Sequence, residues 1–255
     1  MRVSRKTHTG GWTLVETLVT VAIIAILAAI AIPVTTSFKK RAYRTRAIEK
    51  LQSLGSAFVS YTADSGGELP WEDAPGSDDW QAAADPENAR AWYNALPDLM
   101  GAGSLGSLAD SPSRMYDDHY PLYMEGAPYP KSRNKKLGKP YFAMAMNSRL
   151  QRKDDEGVKI RGTLSSILAP QRTVVFLERG MPGDEKTNPG QRGFDAGPKA
   201  NPRAFAARWN GKGLVIFADG HVEMFAVSDL ISNGGQIKFP QTNVVWTRDP
   251  DEDPN

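Results

Sequence analysis

Asp219, His221 and Glu223 occupy alternating positions near the C-terminal end of the chain. On a strand that spacing puts all three side chains on one face, where an imidazole and two carboxylates could hold a metal ion or move a proton. The competing reading gives Asp219 to a turn and leaves the other two as the polar side of a half-exposed strand. The chain has 3 histidines, and the other two, His8 and His119, are distant in sequence. With 0 cysteines, thiolate metal sites, disulfides and a cysteine nucleophile are excluded. No Gly-x-Ser-x-Gly elbow and no glycine-rich phosphate loop occurs. The acidic groups Asp78-Asp79, Asp117-Asp118 and Asp154-Asp155-Glu156 sit in turn-like contexts without EF-hand spacing. These residues do not assemble an active site, and the expectation is a protein that is not an enzyme.

One further carboxylate stands apart. Glu16 is the only charge between Trp12 and Ile32, a run of 21 residues otherwise apolar or small. As a helix rising about 1.5 Å per residue, the run spans roughly the ~30 Å of a bilayer's hydrocarbon core. Its apolar residues favour insertion by a few kcal/mol, and a carboxylate near one end costs less than about 2.5 kcal/mol. Insertion wins. Three readings remain: a secretory signal with Arg2, Arg5 and Lys6 as its basic region and Ala29-Ile30-Ala31 as its cleavage site; a plain single-pass anchor; and a processed, assembling helix. The first has too long an apolar stretch for a typical signal.

The third reading rests on the residues Gly10-Gly11 followed by Trp12-Thr13-Leu14-Val15-Glu16 and an unbroken apolar run to Pro33. This pattern resembles the N-terminus of type IV pilins and type II secretion pseudopilins. The resemblance implies cleavage by a prepilin peptidase after Gly11, N-methylation of Trp12 as the new first residue, and Glu16 as the fifth residue of the mature chain. Most family members begin with Phe or Met, and Trp12 keeps the bulk and apolarity. The resemblance further implies that Glu16 pairs with the freed amine of a neighbouring subunit, because an ammonium buried in an apolar bundle must be paired. Five basic residues (Lys39, Lys40, Arg41, Arg44, Arg46) follow the span against three before it. Counted alone, they would put the C-terminal side in the cytoplasm; leader processing requires the opposite orientation.

Beyond the span, Ile48, Leu51, Leu54, Phe58 and Tyr61 recur every three or four residues. They predict that the helix continues, kinked near Pro33, with an apolar stripe for a head and its arginines facing water or lipid phosphates. Ser65-Gly66-Gly67 should end it. Residues 65–140 are turn-rich. There, Asp85 and Pro86 are expected to start a short helix burying Trp92, Leu96 and Leu99 as core fillers. Residues 111–140 read as a long surface loop. From Tyr141 the texture becomes strand-like, and residues 141–147 and 173–180 are short apolar runs that suit buried strands. Residues 213–225 predict a hairpin turning at Asp219-Gly220 through a type I′ turn. A short helix capped by Ser228 and a frayed acidic tail complete the chain.

The C-terminal stretch from Ala207 to Phe225, with its Phe-Ala-Asp-Gly-His-Val block, is similar to the end of a large bacterial group of pilin-like proteins. Trp209 stands where that group often has a histidine, so a ligand role is not carried over to it. The expected fold is α+β and type IV pilin-like, a long N-terminal helix packed on an antiparallel sheet head. Its segments are a leader (1–11), a transmembrane half-helix (12–33), an amphipathic half-helix (34–64), a loop-rich region (65–140), a sheet head (141–240) and a tail (241–255). No cofactor is expected; calcium, which some pseudopilins bind, is the one candidate the resemblance raises. The implied partners are prepilin peptidase, other pilin-like subunits in a filament, an inner-membrane assembly platform and membrane lipid. A net charge of +2, without a basic stripe interleaved with aromatics beyond residue 50, gives no reason for a nucleic-acid partner. The implied place is a bacterial inner membrane, crossed once, with the head in the periplasm. The alternative is a membrane-tethered binding protein that does not polymerise, working through the loop at 111–140 and the basic residues Lys199 and Arg203.

Overall fold

The structure, a computed structural model, describes residues 11–73, 79–130, 138–153, 156 and 159–255. The presumed leader up to Gly10, Asp78 and the pair Asp154-Asp155 lie outside the described residues. The chain divides into two compact units, Met1–Ala42 and Tyr43–Asn255. One helix, α1 (Leu14–Asp64), runs through both.

In the first unit α1 is apolar and uncovered: Leu14 is 82% and Ile32 65% exposed. It is the one described helix long and apolar enough to cross a membrane. Its threonines return their hydroxyls to the helix itself, Thr20 to the Glu16 carbonyl (2.7 Å) and Thr35 to the Ala31 carbonyl (2.7 Å). In hydrocarbon, where no water is available, such self-satisfaction removes an otherwise costly donor. Helical assignment continues through Pro33, whose missing N–H leaves out one rung of the ladder.

In the second unit the predicted stripe is buried as expected: Leu51, Leu54 and Phe58 are fully covered, and Ile48 and Tyr61 half-buried. The helix stops before Gly66 and Gly67, both at positive φ, where other residues would be strained. Arg44 is exposed, as is Arg41 at the end of the first unit. Arg46, although 56% exposed, reaches Glu125 at 3.1 Å, so its predicted solvated role is only part of its chemistry.

The head is a five-stranded sheet of β1 (Met144–Asn147), β4 (Val174–Glu178), β5 (Lys199–Ala200), β6 (Lys212–Phe217) and β7 (Val222–Ala226), in the order β5-β1-β4-β6-β7. A separate two-stranded ribbon pairs β2 (Arg152–Lys153) with β3 (Lys159–Ile160). The expected antiparallel sheet is in fact mixed, because β5 runs parallel to β1. Two consecutive strand residues normally face opposite sides, yet Val175 and Phe176 both join the core under α1. A bulge between Val174 and Phe176 makes this possible. On that face Phe58 meets Phe176 edge-on at 5.8 Å. The opposite face, with Leu177, Val215 and Phe217, is covered by Leu230, Ile237 and Trp246.

Local expectations needed correction at several points. Asp85 caps only a 3-10 turn, Pro86–Asn88, and a new helix, α3 (Trp92–Leu99), starts four residues later, after a first short helix α2 (Trp80–Ala84). Trp92 and Leu96 are buried, whereas Leu99 is 47% exposed and Tyr93 fills the core in its place. Residues 111–130 are not a surface loop: Tyr116, Tyr120, Tyr123 and Tyr129 are buried, and Lys50 donates to the carbonyls of Asp118 (2.7 Å) and Tyr123 (2.8 Å). The short helix α4 (Val227–Leu230) is capped by Asp229, which accepts the Ala226 N–H at 2.9 Å, and not by Ser228. The tail is docked. Asn255 accepts the Ile237 N–H (2.7 Å) and donates back to its carbonyl (3.1 Å), while the buried Gln241 amide reaches the Glu252 carbonyl (2.8 Å).

Candidate functional site

Three places in the molecule hold the chemistry-bearing residues. The first is the start of α1. Gly11 and Trp12 precede the helix, and Trp12 is 74% exposed. Glu16 Oε2 accepts the Thr13 backbone N–H (2.8 Å) and hydroxyl (2.9 Å), and Thr13 Oγ1 accepts the Glu16 N–H (3.2 Å). This is a capping box, satisfying two donors that a helix start leaves free and setting a negative charge at its positive end. The Thr-x-x-Glu spacing is visible in the sequence, and the structure gives it a local role that needs no neighbouring subunit.

The second is the hairpin tip. Phe217 donates to the His221 carbonyl (2.9 Å), and its own carbonyl accepts the Gly220 N–H (2.9 Å). The loop therefore holds three residues, Ala218 to Gly220, with only Gly220 at positive φ (+90°). The expected two-residue type I′ turn would require positive φ at Asp219 as well. Asp219 instead bends its carboxylate onto His221, accepting its backbone N–H (3.2 Å) and lying 2.6 Å from Nδ1. Glu223 Oε1 is 3.9 Å from Nε2, and the imidazole stacks on Phe217 at 4.4 Å. The three residues do gather, but with the imidazole lying between the carboxylates. Among the described residues no three His, Asp or Glu side chains form a group that could hold a metal.

The third is buried and was not anticipated. Glu178, at the end of β4, is fully buried. Its carboxylate accepts the Trp209 indole N–H (2.9 Å to Oε2) and the Leu214 backbone N–H (2.8 Å). Arg208 lies 3.5 Å away and pairs more closely with Asp184 (2.5 Å). Two acids thus share one guanidinium. Burial pushes the Glu178 carboxyl up to about 7, against the pull of Arg208 and the Leu214 and Trp209 donors, with Asp184 adding to the rise. Burial opposes the charge of Arg208, but Glu178 and Asp184 outweigh it and raise its pKa. Burial also raises the neighbouring Tyr129 hydroxyl, so that group stays neutral. Arg208 further donates to the Arg179 carbonyl (2.5 Å), while Arg179 itself pairs with Asp195. The three charged side chains of the cluster, Arg208, Glu178 and Asp184, are 6%, 0% and 9% exposed. Their bonds fasten the segment that follows β4 to the sheet. The signal for it was a carboxylate ending an otherwise apolar strand; its partners lie up to 36 residues away.

Residues 199 and 203, the alternative working surface, are engaged in the fold. Lys199 Nζ lies 2.5 Å from Asp73, and Arg203 donates to the Gly235 carbonyl. No protein-family model, curated protein or solved structure matches the chain.

Proposed function

We propose that this chain is a pilin-like structural subunit of a type II secretion pseudopilus or a type IV pilus-like filament. One observation carries the reading: twelve large apolar side chains from Trp12 to Ile32 are exposed, at the head of a helix whose first turn holds a single carboxylate. Exposed to water they would cost on the order of 1.5 kcal/mol each or more, so the segment calls for hydrocarbon or other helices around it. A bilayer meets that need before assembly and a bundle of identical helices meets it afterwards. The spacing of Gly11, Trp12, Glu16 and Pro33 supports this two-stage use over a permanent anchor.

On this reading a prepilin peptidase cuts between Gly11 and Trp12 at the inner face of a bacterial inner membrane, and Trp12 is N-methylated. The head stays in the periplasm. An inner-membrane assembly platform then stacks subunits through α1. Glu16 has two consecutive partners: Thr13 in the free subunit and a neighbour's terminal amine in the filament. The head, with Glu178, Arg208 and Asp184 buried inside it, is the part each subunit presents beyond the helix bundle. Mass spectrometry of the mature chain tests the proposal. A terminus at Trp12 carrying one added methyl is expected; an intact Met1 terminus, or one at Ile32, overturns it.

A further inference from the structure

Three arginines from separate stretches of the head gather around one glycine. Arg203, just after β5, gives its Nε proton to the Gly235 carbonyl. Arg192 arrives at the same residue: a Cβ built on Gly235 would stand 2.7 Å from its Nη2. Two guanidiniums thus rest against one buried glycine. Arg149 follows β1, and its neighbour Ser148 donates its N–H to the Ala200 carbonyl (2.9 Å), three residues before Arg203. Arg192 is exposed, and the other two are half-buried.

The charges are close enough to oppose one another. Burial lowers the Arg203 pKa, and the positive charges of Arg192 and Arg149 lower it further. Among the described residues, none of the three lies within 4 Å of a carboxylate. Asp253 feels the charge of Arg149, but its carboxylate is turned to the Asn255 backbone N–H (3.1 Å) and side-chain amide (2.9 Å). The backbones beneath the arginines are tied down. The Arg192 N–H donates to the Arg203 carbonyl (2.8 Å), Asn201 Oδ1 accepts the Arg203 N–H (2.9 Å), and Asn147 Oδ1 accepts the Arg149 N–H (3.0 Å).

We propose that Arg149, Arg192 and Arg203 bind a phosphate group, carried either by the free ion or by a phosphomonoester. Like charges anchored side by side repel, and an anion set among them removes that cost. Guanidinium forks pair with phosphate oxygens through two N–H groups at once. Arg203 keeps both Nη groups for this use, because Nε alone is spent on Gly235. A phosphoryl group brings roughly two negative charges and three strong acceptor oxygens near neutral pH. A carboxylate brings one charge and two oxygens, and answers the three cations less completely. The site lies on the head alone and is independent of filament assembly.

Titration calorimetry on the full chain in non-ionic detergent micelles tests it, with phosphate, glycerol 3-phosphate and acetate as probes at matched ionic strength. Phosphate should bind at least about tenfold more tightly than acetate, as expected for one further charge-assisted hydrogen bond. Arg192→Gln, at an exposed position, should weaken phosphate about tenfold without lowering the unfolding temperature. Arg149→Gln should weaken it in the same way, and Arg44→Gln on α1 should leave it unchanged. Glycerol 3-phosphate binding about tenfold more tightly than phosphate would identify a monoester, such as a lipid headgroup, as the ligand; binding no tighter identifies the free ion. Acetate matching phosphate, unaltered affinity in Arg192→Gln, or no heat from either phosphate probe at millimolar concentration would overturn the assignment.

Discussion

Gly55 in α1 and Gly220 at the hairpin tip touch backbone to backbone. A Cβ built on Gly55 would stand 2.3 Å from the Gly220 carbonyl oxygen. The contact fixes where the Phe-Ala-Asp-Gly-His-Val turn sits on the helix, and it involves two backbones, which cannot swing aside as a side chain can. Gly55→Ala should therefore force the hairpin off α1 and cost about 1–3 kcal/mol, the usual range for overpacking. Denaturant unfolding measures it. Gly138→Ala, where no described atom lies within 4 Å of the added methyl and φ is not positive, is the control and should be close to neutral.

Glu178 gives the head a pH dependence with a definite sign. Its carboxyl is raised from 4.5 to about 7 in the folded protein. Between these values the folded state holds a proton that the unfolded chain has released. Stability from this group is therefore greatest below about 4.5, falls as pH rises through the window, and levels off above about 7. Unfolding curves between these limits should show the decline in the wild type and lose it in Glu178→Gln. An unchanged slope in the variant would assign the dependence to another group.

Trp209 tunes the same carboxyl. Its indole N–H donates to both Glu178 oxygens, at 3.0 and 2.9 Å, and so favours the ionised form. Trp209→Phe keeps most of the bulk and deletes the donor. The upper end of the pH window should then move above about 7, which a carboxyl-resolved NMR titration can follow.

Lys50 is half-buried, and its ammonium bonds the carbonyls of Asp118, Tyr120 and Tyr123 while lying 5.3 Å over the Tyr123 ring. Desolvation lowers its pKa, with Glu125 and Asp118 opposing. Lys50→Met keeps the aliphatic stem and strands the carbonyls. Hydrogen exchange across residues 117–129 should accelerate roughly tenfold or more, matching the 1–3 kcal/mol typical of orphaned groups. Exchange in β6 should stay unaltered.

Glu16 separates its two proposed partners through a pair of variants. Glu16→Gln retains an oxygen for Thr13 and loses the charge; Glu16→Val loses both. Both variants should insert into membranes, and both should fail to enter filaments if a buried amine needs a counter-charge. Normal assembly of the Gln variant alone would show that helix capping, and not charge neutralisation, is what assembly requires.

Periodicity made much of this molecule readable. The stripe from Ile48 to Tyr61, the stop at Gly66-Gly67, the strands at Met144 and Val174 and the hairpin near Gly220 all follow from interactions within a few residues. The apolar run at the N-terminus was equally plain, since its length and hydropathy do not depend on neighbours. Turn geometry was less so: a two-residue type I′ turn needs positive φ at Asp219, whereas the three-residue loop places only Gly220 there.

What the chain alone could not reveal was set by partners remote in sequence. Four tyrosines between 116 and 129 read as a surface loop because their burial depends on α1, with Lys50 lying 68 residues from the Asp118 carbonyl it grips. The tail looked frayed because its acidic composition says nothing of Gln241 and Ile237, which hold it. Glu178, Arg208 and Asp184 become one charge-sharing unit only when β4 and the segment before β6 close on each other. Local patterns fixed which elements form, since backbone hydrogen bonds and apolar periodicity are short-range. Buried charge was decided by tertiary closure, because desolvation acts on a group only once distant chain has covered it.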